Sequence, residues 1–395
     1  MASQALIPEP YEGREQAYVK HHVLEKYLEK LVAILGVSNS TLEFTYIDCF
    51  AGPWGDDSQD MSSTSIAISL QVLARFKQTA ESRGAKAVIR ALYVENNDLA
   101  FLRLKEYLFQ RTPVGITTCA LHGEFVASRN SILSWVGNSG YAFFFIDPKG
   151  YTEVGVRTLR PLLERPRSEF VINFMFDFIN RVMSMKAHAD AMAELVGEAV
   201  DLTNLTETNR EMEILNTYRK NLKASVHTNN SKYPARSAYI SILDPRKDRT
   251  KYHLVYLTTH HKGIIKFLET CEISTELQGL VRAKIRDDKK EAQTGTGDLF
   301  ADDAPFVSEE KSKIDPTNID RYWLEFIGSG RSVTEAQFSD ILEKTNWFPG
   351  ELQESLARLI YQKKVVNLDA SKSRPKNPLH FAPINGERLQ PLPRS

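Results

Sequence analysis

The chain has 395 residues, 42% of them hydrophobic and 25% charged, which is enough apolar material for a full core and enough length for two domains. Its 50 Lys and Arg balance 50 Asp and Glu, so the net charge is zero, which argues against a polyanion-coating protein and confines nucleic-acid contact to local patches. The three cysteines, Cys49, Cys119 and Cys271, form no C-x-x-C pair, which argues against a disulfide framework or a cysteine zinc site and for a reducing compartment.

Residues 16–36 space Val19, Val23, Tyr27, Leu28, Leu31 and Ile34 as one helical face, with Gly36 as its stop. "EFTYIDCFAG" then reads as a buried strand and tight turn, and "SSTSIAISLQVLARF" as a helix. "AVIRALYVEN", "GITTCALHGEF", "YAFFFIDPKG" and "SEFVINFMF" are further strands. The helices "NDLAFLRLKEYLF", "SRNSILSWV" and "VGVRTLRPLLE" alternate with them. Such alternation predicts a Rossmann-like α/β fold, a mostly parallel sheet covered on both faces. Residues 182–230 read as a helical insertion, and 236–259 as two strands around a basic turn. The Rossmann-like domain is therefore expected over residues 1–286, followed by a Gly/Asp/Lys/Pro-rich linker at 287–316. Three helices and a basic strand–loop–strand predict a small winged-helix-like domain at 317–382, with a flexible tail at 383–395. No run approaches the roughly 18 apolar residues of a membrane span. The opening stretch lacks the charged and apolar parts of a signal peptide, so a cytoplasmic location is expected.

Ligands of open α/β sheets sit beyond the C-terminal strand ends. Asp48, Glu95, Glu124 and Asp147 all fall there, with Asn173 at the end of the next strand. After Asp48, "FAGPWG" supplies glycines that let the backbone approach a ligand, but it has neither the G-K-[ST] of a P-loop nor G-x-G-x-x-G. Glu95 suits the hydroxyls of a ribose, or equally a solvated helix cap. The Glu124–Phe125 pair could contact an adenine, but taken alone it reads more readily as a surface acid beside a core ring. In "IDPKGY", Pro148 fixes the turn that presents Asp147. His21-His22 and His260-His261 are adjacent pairs that cannot face one way, so no metal site is expected. Cys49 alternates with Asp48 along the strand and reads as core.

Taken in order, "VKHHVLEKYLE", "TYIDCFAGPWG", "YVEN", "IDPKGY" and "INFMFDFINR" resemble the three-Cys-motif partner family (TcmP), which is like class I S-adenosylmethionine-dependent methyltransferases. The same order resembles bacterial ribosomal-RNA adenine-N6 methyltransferases. The likeness covers roughly residues 16–270. It implies S-adenosylmethionine as cofactor, with Asp48, Phe50, Ala51 and Gly52 at its methionine end. It also implies Glu95 on the ribose and Glu124 with Phe125 at the adenine. Asp147, Pro148 and Tyr151 would face the methyl acceptor, and Lys20 and His21 would lie on a helix over the pocket, although both also suit a solvated helix face. Asn173, Asn180 and Arg181 could add polar contacts at the fifth strand's end. One departure is that Lys149-Gly150 stands where adenine-N6 enzymes carry a second proline before the aromatic.

Basic residues cluster at Arg246, Lys247 and Arg249, and again at Lys372 and Arg374 in the expected wing. These suit phosphate contacts, so nucleic acid, DNA or RNA, is the expected partner; an adenine-N6 or other base amine as acceptor is implied by the resemblance alone and is left unsecured by Lys149-Gly150. The competing reading is a non-catalytic partner of a three-cysteine protein of the radical S-adenosylmethionine type.

Overall fold

The structure is a computed structural model that describes residues 6–38, 41–52, 61–176, 189–228, 233–294, 315–381 and 385–393. The chain divides into two compact units, Met1–His260 and His261–Ser395.

In the first unit seven strands form one sheet: β1 (Thr41–Asp48), β2 (Lys86–Glu95), β3 (Ile116–His122), β4 (Tyr141–Ile146), β5 (Ser168–Phe174), β6 (Arg236–Leu243) and β7 (Thr250–Thr258). Their order is β3-β2-β1-β4-β5-β7-β6. The first five strands pair in parallel, and β7 runs antiparallel to both β5 and β6. The strands are runs of apolar residues because both faces are covered. Phe143, Phe144 and Phe145 are all buried although successive side chains point to opposite faces.

Helices α1 (Glu15–Ser38), α2 (Ser65–Ser82) and α3 (Asp98–Arg111) cover one face, while α4 (Phe125–Val136), α5 (Val156–Leu163), α6 (Ala189–Val196) and α7 (Glu207–Ser225) pack on the other. The starts of α2, α3 and α7 are fixed locally, since Thr64, Asn97 and Thr206 each accept a backbone N–H from three residues on. Contrary to the sequence expectation, α1 does not stop at Gly36. A Cβ at Gly36 would lie 2.7 Å from the Phe76 ring of α2, so this glycine serves close helix packing.

Under α1 lies a buried carboxylate. Glu169 at the start of β5 accepts hydrogen bonds from Tyr27 Oη at 2.6 Å and Thr258 Oγ1 at 2.8 Å, and Tyr256 shares a hydrogen bond with Tyr27. Burial pushes the Glu169 carboxyl up, and the hydroxyls of Tyr27, Tyr141 and Thr258 pull it back. The network ties α1 to β5 and β7.

In the second unit, α8 (His261–Thr294) is followed by α9 (Pro316–Ile327), β8 (Arg331–Val333), α10 (Glu335–Thr345), α11 (Pro349–Tyr361), β9 (Val365–Asn367) and β10 (Glu387–Pro391). The strands form an antiparallel sheet in the order β8-β10-β9. Trp323 is fully buried and donates its indole N–H to the Leu352 carbonyl at 2.9 Å, locking α9 to α11.

Three expectations change here. The 383–395 stretch is not a tail, because Glu387–Pro391 is the central strand of this sheet. Its pattern is masked by a buried acid, Glu387, which pairs with Arg374 at 2.5 Å. The second strand expected within "NPLHFA" does not form, and the Leu379 backbone bonds the Gln353 side chain instead. Residues 287–294 continue α8, helped by a Lys284–Asp288 pair at 3.2 Å, and residues 261–286 group with the C-terminal unit. The rest of the expected linker up to 314 lies outside the described residues, as do 182–188 of the expected insertion. No helix among the described residues is long and apolar enough to cross a membrane.

Replacing Tyr27 by Phe removes a donor from the buried Glu169 while keeping the ring. Leaving a buried polar group unpaired costs about 1–3 kcal/mol, so urea unfolding of Tyr27→Phe is expected to show that loss at an unchanged m-value.

Candidate functional site

The strand order reverses between β1 and β4, which are adjacent in the sheet although two strands separate them in sequence. Crossovers leave this point in opposite directions and open a crevice beyond the carboxyl ends. Asp48 ends β1, and Asp147 directly follows β4. The backbone ties the two ends together through the Cys49 N–H, which donates to the Phe145 carbonyl at 3.0 Å.

The two acids have different surroundings. Asp147 is partly open, with 17% of its side chain exposed. Its Oδ2 pairs with Lys20 Nζ from α1, and its Oδ1 accepts from Asn173 Nδ2 of β5 at 2.6 Å. Lys20 is only 13% exposed, so it is part of the site rather than a solvated face. Its ammonium lies 5.6 Å from the centre of the Tyr252 ring, and Tyr252 Oη donates to the Gln16 carbonyl at 2.8 Å. Thus β7 supports the same helix turn that carries Lys20.

Asp48 is completely buried. It accepts from Ser65 Oγ at 2.6 Å and from the Phe50 N–H at 3.2 Å. Burial pushes its carboxyl up to about 7, although the hydrogen bonds from Ser65 and Phe50 oppose the shift. Its role is to hold the β1–α2 turn. Ala51 is likewise fully buried, and its N–H donates to the Val94 carbonyl at 2.8 Å; Gly52 is buried next to it. Asp48, Ala51 and Gly52, expected at the cofactor's methionine end, are thus all buried in the turn, and none of them lines the cavity described next. Pro53, Trp54 and Gly55 of the turn lie outside the described residues.

A cavity of about 150 Å³ is lined by Asp147 itself together with Cys49, Phe50, Val94, Glu95, Asn96, Gly123, Glu124, Phe125, Lys149 and Glu153. It gathers the ends of β1 to β4. Glu95 is 3% exposed, and its Oε1 accepts the Asn97 N–H at 2.7 Å, which steadies the entry to α3. The Glu95 carbonyl accepts from the Gly123 N–H at 3.0 Å; Gly123 has φ +144°, a conformation that side-chain-bearing residues rarely adopt. Glu124 is exposed and accepts from Asn96 Nδ2 at 3.1 Å. Phe125 is buried, with its ring 4.9 Å from that of Phe50.

Tyr151 is not among the residues lining this cavity; it packs partly buried against the core. One residue more separates it from Asp147 than the adenine-enzyme spacing gives, and Pro148 is buried. His21 is also not a free base. It shares a hydrogen bond with Tyr11 Oη at 3.1 Å, and burial beside Lys20 pushes its imidazole down to about 3. Asn96, Glu153 and Tyr252 were missed by sequence reasoning, and Lys149 entered it only as a residue standing in place of a proline. Asn96 adjoins Glu95 and could have been found, whereas Tyr252 enters only through the pairing of β7 with β5.

Lys247 is exposed at the β6–β7 turn. Arg246 reaches Glu15 at 3.7 Å and Arg249 reaches Asp244 at 3.6 Å. In the C-terminal unit Lys372 is exposed, but Arg374 is turned in to Glu387. A larger groove of about 930 Å³ between α11 and the 370–378 loop is lined by Tyr361, Lys372 and Lys376 among others, and carries no comparable set of acids. Asn180 and Arg181 lie outside the described residues. Among the described residues no three His, Cys, Asp or Glu side chains cluster as for a metal.

No family model matches the chain, and no curated protein matches it. Among solved structures, protein LPL1258 of Legionella pneumophila is similar at 10% identity and a TM-score of 0.33, over 62% of this chain and 85% of that one. A loganic acid methyltransferase with SAH is similar at 8% and 0.28, over 73% and 92%. Human methyltransferase-like protein 13 in complex with SAH is similar at 14% and 0.25, over 55% and 96%. At such scores the likeness bears on neither activity nor ligand.

The Asp48 carboxyl has a folded value of about 7 against an ordinary 3.8. Its protonated form therefore favours the fold below about pH 4, and that contribution is lost as the pH rises through 7. Asp48→Asn cannot titrate. Its Tm relative to the wild type is expected to rise steadily between pH 4 and 8 in calorimetric scans; a constant difference would refute the assigned burial.

Proposed function

We propose that the chain is an S-adenosylmethionine-dependent methyltransferase that acts on nucleic acid. The observation that carries this reading is the pairing, at one topological switch point, of two differently equipped places: an acid–aromatic cavity at the ends of β1 to β4, and Asp147 held in its wall by Lys20 and Asn173.

The donor set of the cavity fits an adenosine. Glu95 is a buried carboxylate at the second strand's end, suited to accept from two ribose hydroxyls. Phe50 and Phe125 give an apolar wall for a base, with Asn96 and Glu124 at its edge. At about 150 Å³ the cavity is smaller than the ~300 Å³ or more of ordinary small-molecule sites, so its described residues hold part of the cofactor. When bound, the cofactor supplies a methyl group made electrophilic by its sulfonium.

Transfer of such a group needs little acid–base help and depends on in-line placement. Asp147 is the acceptor-side residue, and its two partners fix its rotamer from opposite sides. Nucleic acid as the acceptor class rests on the exposed Lys247 at the hairpin turn and on the C-terminal unit. There three helices and a three-stranded antiparallel sheet suit a winged helix, with Lys372 on the loop before β10. Arg374 takes no part, because it is paired internally.

Isothermal calorimetry with S-adenosylmethionine tests the cavity. Measurable affinity is expected, weakened about 10- to 100-fold by Glu95→Ala, as for loss of hydrogen bonds to a charged group. No heat at millimolar cofactor would remove the reading. Asp147→Ala is expected to lower methyl transfer at saturating cofactor at least about 100-fold in a tritium assay. Joint charge reversal, Lys247→Glu with Lys372→Glu, is expected to weaken nucleic-acid binding and to flatten its salt dependence. Titrations at several salt concentrations check this.

A further inference from the structure

The two edges of the seven-stranded sheet differ. β6 is buried over most of its length, whereas in β3 only Ile116 is buried. Among the described residues no strand pairs with the outer side of β3. The Gly123 N–H points inward, to the Glu95 carbonyl of β2. Backbone polar groups alternate in direction along a strand, so Thr118 and Ala120 present theirs outward. Proteins protect open edges with charges, prolines or a covering element, yet "TTCAL" from Thr117 to Leu121 holds neither charge nor proline. The neighbouring surface is apolar as well. Phe109 of α3 is 92% exposed, Leu99 74% and Leu102 59%, and Val114 before β3 is fully exposed. A hollow of about 390 Å³ between α3 and β3 is lined by Phe101, Lys105, Phe109, Thr118 and Ala120 among others. A single exposed leucine is ordinary, but a group of such side chains along an open strand marks an interaction surface.

We propose that β3 pairs antiparallel with β3 of a second copy, making the chain a two-fold symmetric dimer with one continuous sheet. The dimer is independent of the function proposed above. Pairing the whole strand puts the axis at Cys119, the midpoint of Ile116–His122. Thr118 then lies opposite Ala120 of the second copy, and the two exchange both hydrogen bonds. Charge favours a second copy over another occupant. α3 carries Asp98 in its first turn and Arg111 in its last. Asp98 Oδ1 lies 3.1 Å from His122 Nε2 at the end of β3, while Thr112, next after Arg111, bonds Thr118 near its start. Antiparallel pairing sets end against start, so Asp98 of each copy comes beside Arg111 of the other. The size also suits a dimer. Seven residues make an edge about 23 Å long. With α3 on one face and α4 on the other, each about 10 Å across, the patch is on the order of 600 Å² per copy. A standard interface covers roughly 800 Å² per partner.

Sedimentation equilibrium on the full chain is expected to give twice the 44.8 kDa of one chain at micromolar concentration. Phe109→Glu changes an exposed position, so its circular-dichroism spectrum is expected to stay the same while association weakens at least about tenfold. Hydrogen exchange in the 116–122 peptide is expected to slow as the concentration rises through the Kd, and to stay fast over that range in Phe109→Glu. Asp98→Arg alone and Arg111→Asp alone each set like charges together, and each is expected to weaken self-association about 3- to 10-fold. Mixed one to one, these two variants are expected to recover it as a heterodimer, because both contacts are then complementary; a fault confined to one chain would not be repaired by mixing. A single-chain mass at about 100 µM would overturn the pairing. So would unchanged association of Phe109→Glu, a dimer whose 116–122 exchange is independent of concentration, or a mixture of the two charge variants that associates no better than either alone.

Discussion

The contact on which the candidate site depends is the ion pair between Lys20 and Asp147. Neither group is far enough out of water to be prohibitive, yet both are shielded enough that each needs the other. A charge removed from solvent is stable only when paired and hydrogen-bonded. The pair joins the first helix of the chain to the end of the fourth strand, 127 residues on. It therefore fixes how α1 lies across the sheet, and α1 in turn closes one side of the crevice.

Asp48 and Asp147 show how the same sequence context yields opposite outcomes. Both follow apolar strand residues, and both sit where the sheet order reverses. Asp48 is surrounded by donors from its own turn and from α2, with no side-chain exposure, so it shapes backbone. Asp147 is followed by a proline that supplies no N–H, so its oxygens find partners on distant elements and remain partly accessible. A turn that satisfies its own acid makes structure; a turn that cannot do so leaves the acid for a ligand.

The parallel sheet and its crossover helices were legible because strand and helix periods alternate cleanly from Thr41 to Phe174, and the acids at strand ends followed from that alternation. Glu95, Glu124, Phe125 and Phe50, singled out in the sequence as strand-end residues or their neighbours, line one cavity. Burial was not legible, since a strand-end acid looks the same whether solvent or a serine faces it. In the second unit β9 was legible but β8 and β10 were not, because β10 hides a buried glutamate that pairs with an arginine 13 positions away. Its partner strand β8 has three residues, too few for any period to show. Pairings remote in sequence, such as Tyr252 with Gln16 and Lys20, leave no local pattern at all.

The buried network at Glu169 explains how α1 is aimed so closely. Tyr27 meets Glu169 near the start of β5, and Lys20 meets Asp147 beside Asn173 near its end. From Tyr27 back to Lys20 the helix rises about 10 Å at 1.5 Å per residue. From Glu169 forward to Asn173 the strand rises about 13 Å at 3.3 Å per residue. The two spans nearly match and point the same way, because helix and strand run in opposite chain directions, so one anchored contact sets the other. The carboxylate that stabilises the fold and the carboxylate that faces the crevice are thus two ends of a single docking of α1 on the sheet. Disturbing the first would move the ammonium that holds the second, even though the two contacts share no atom.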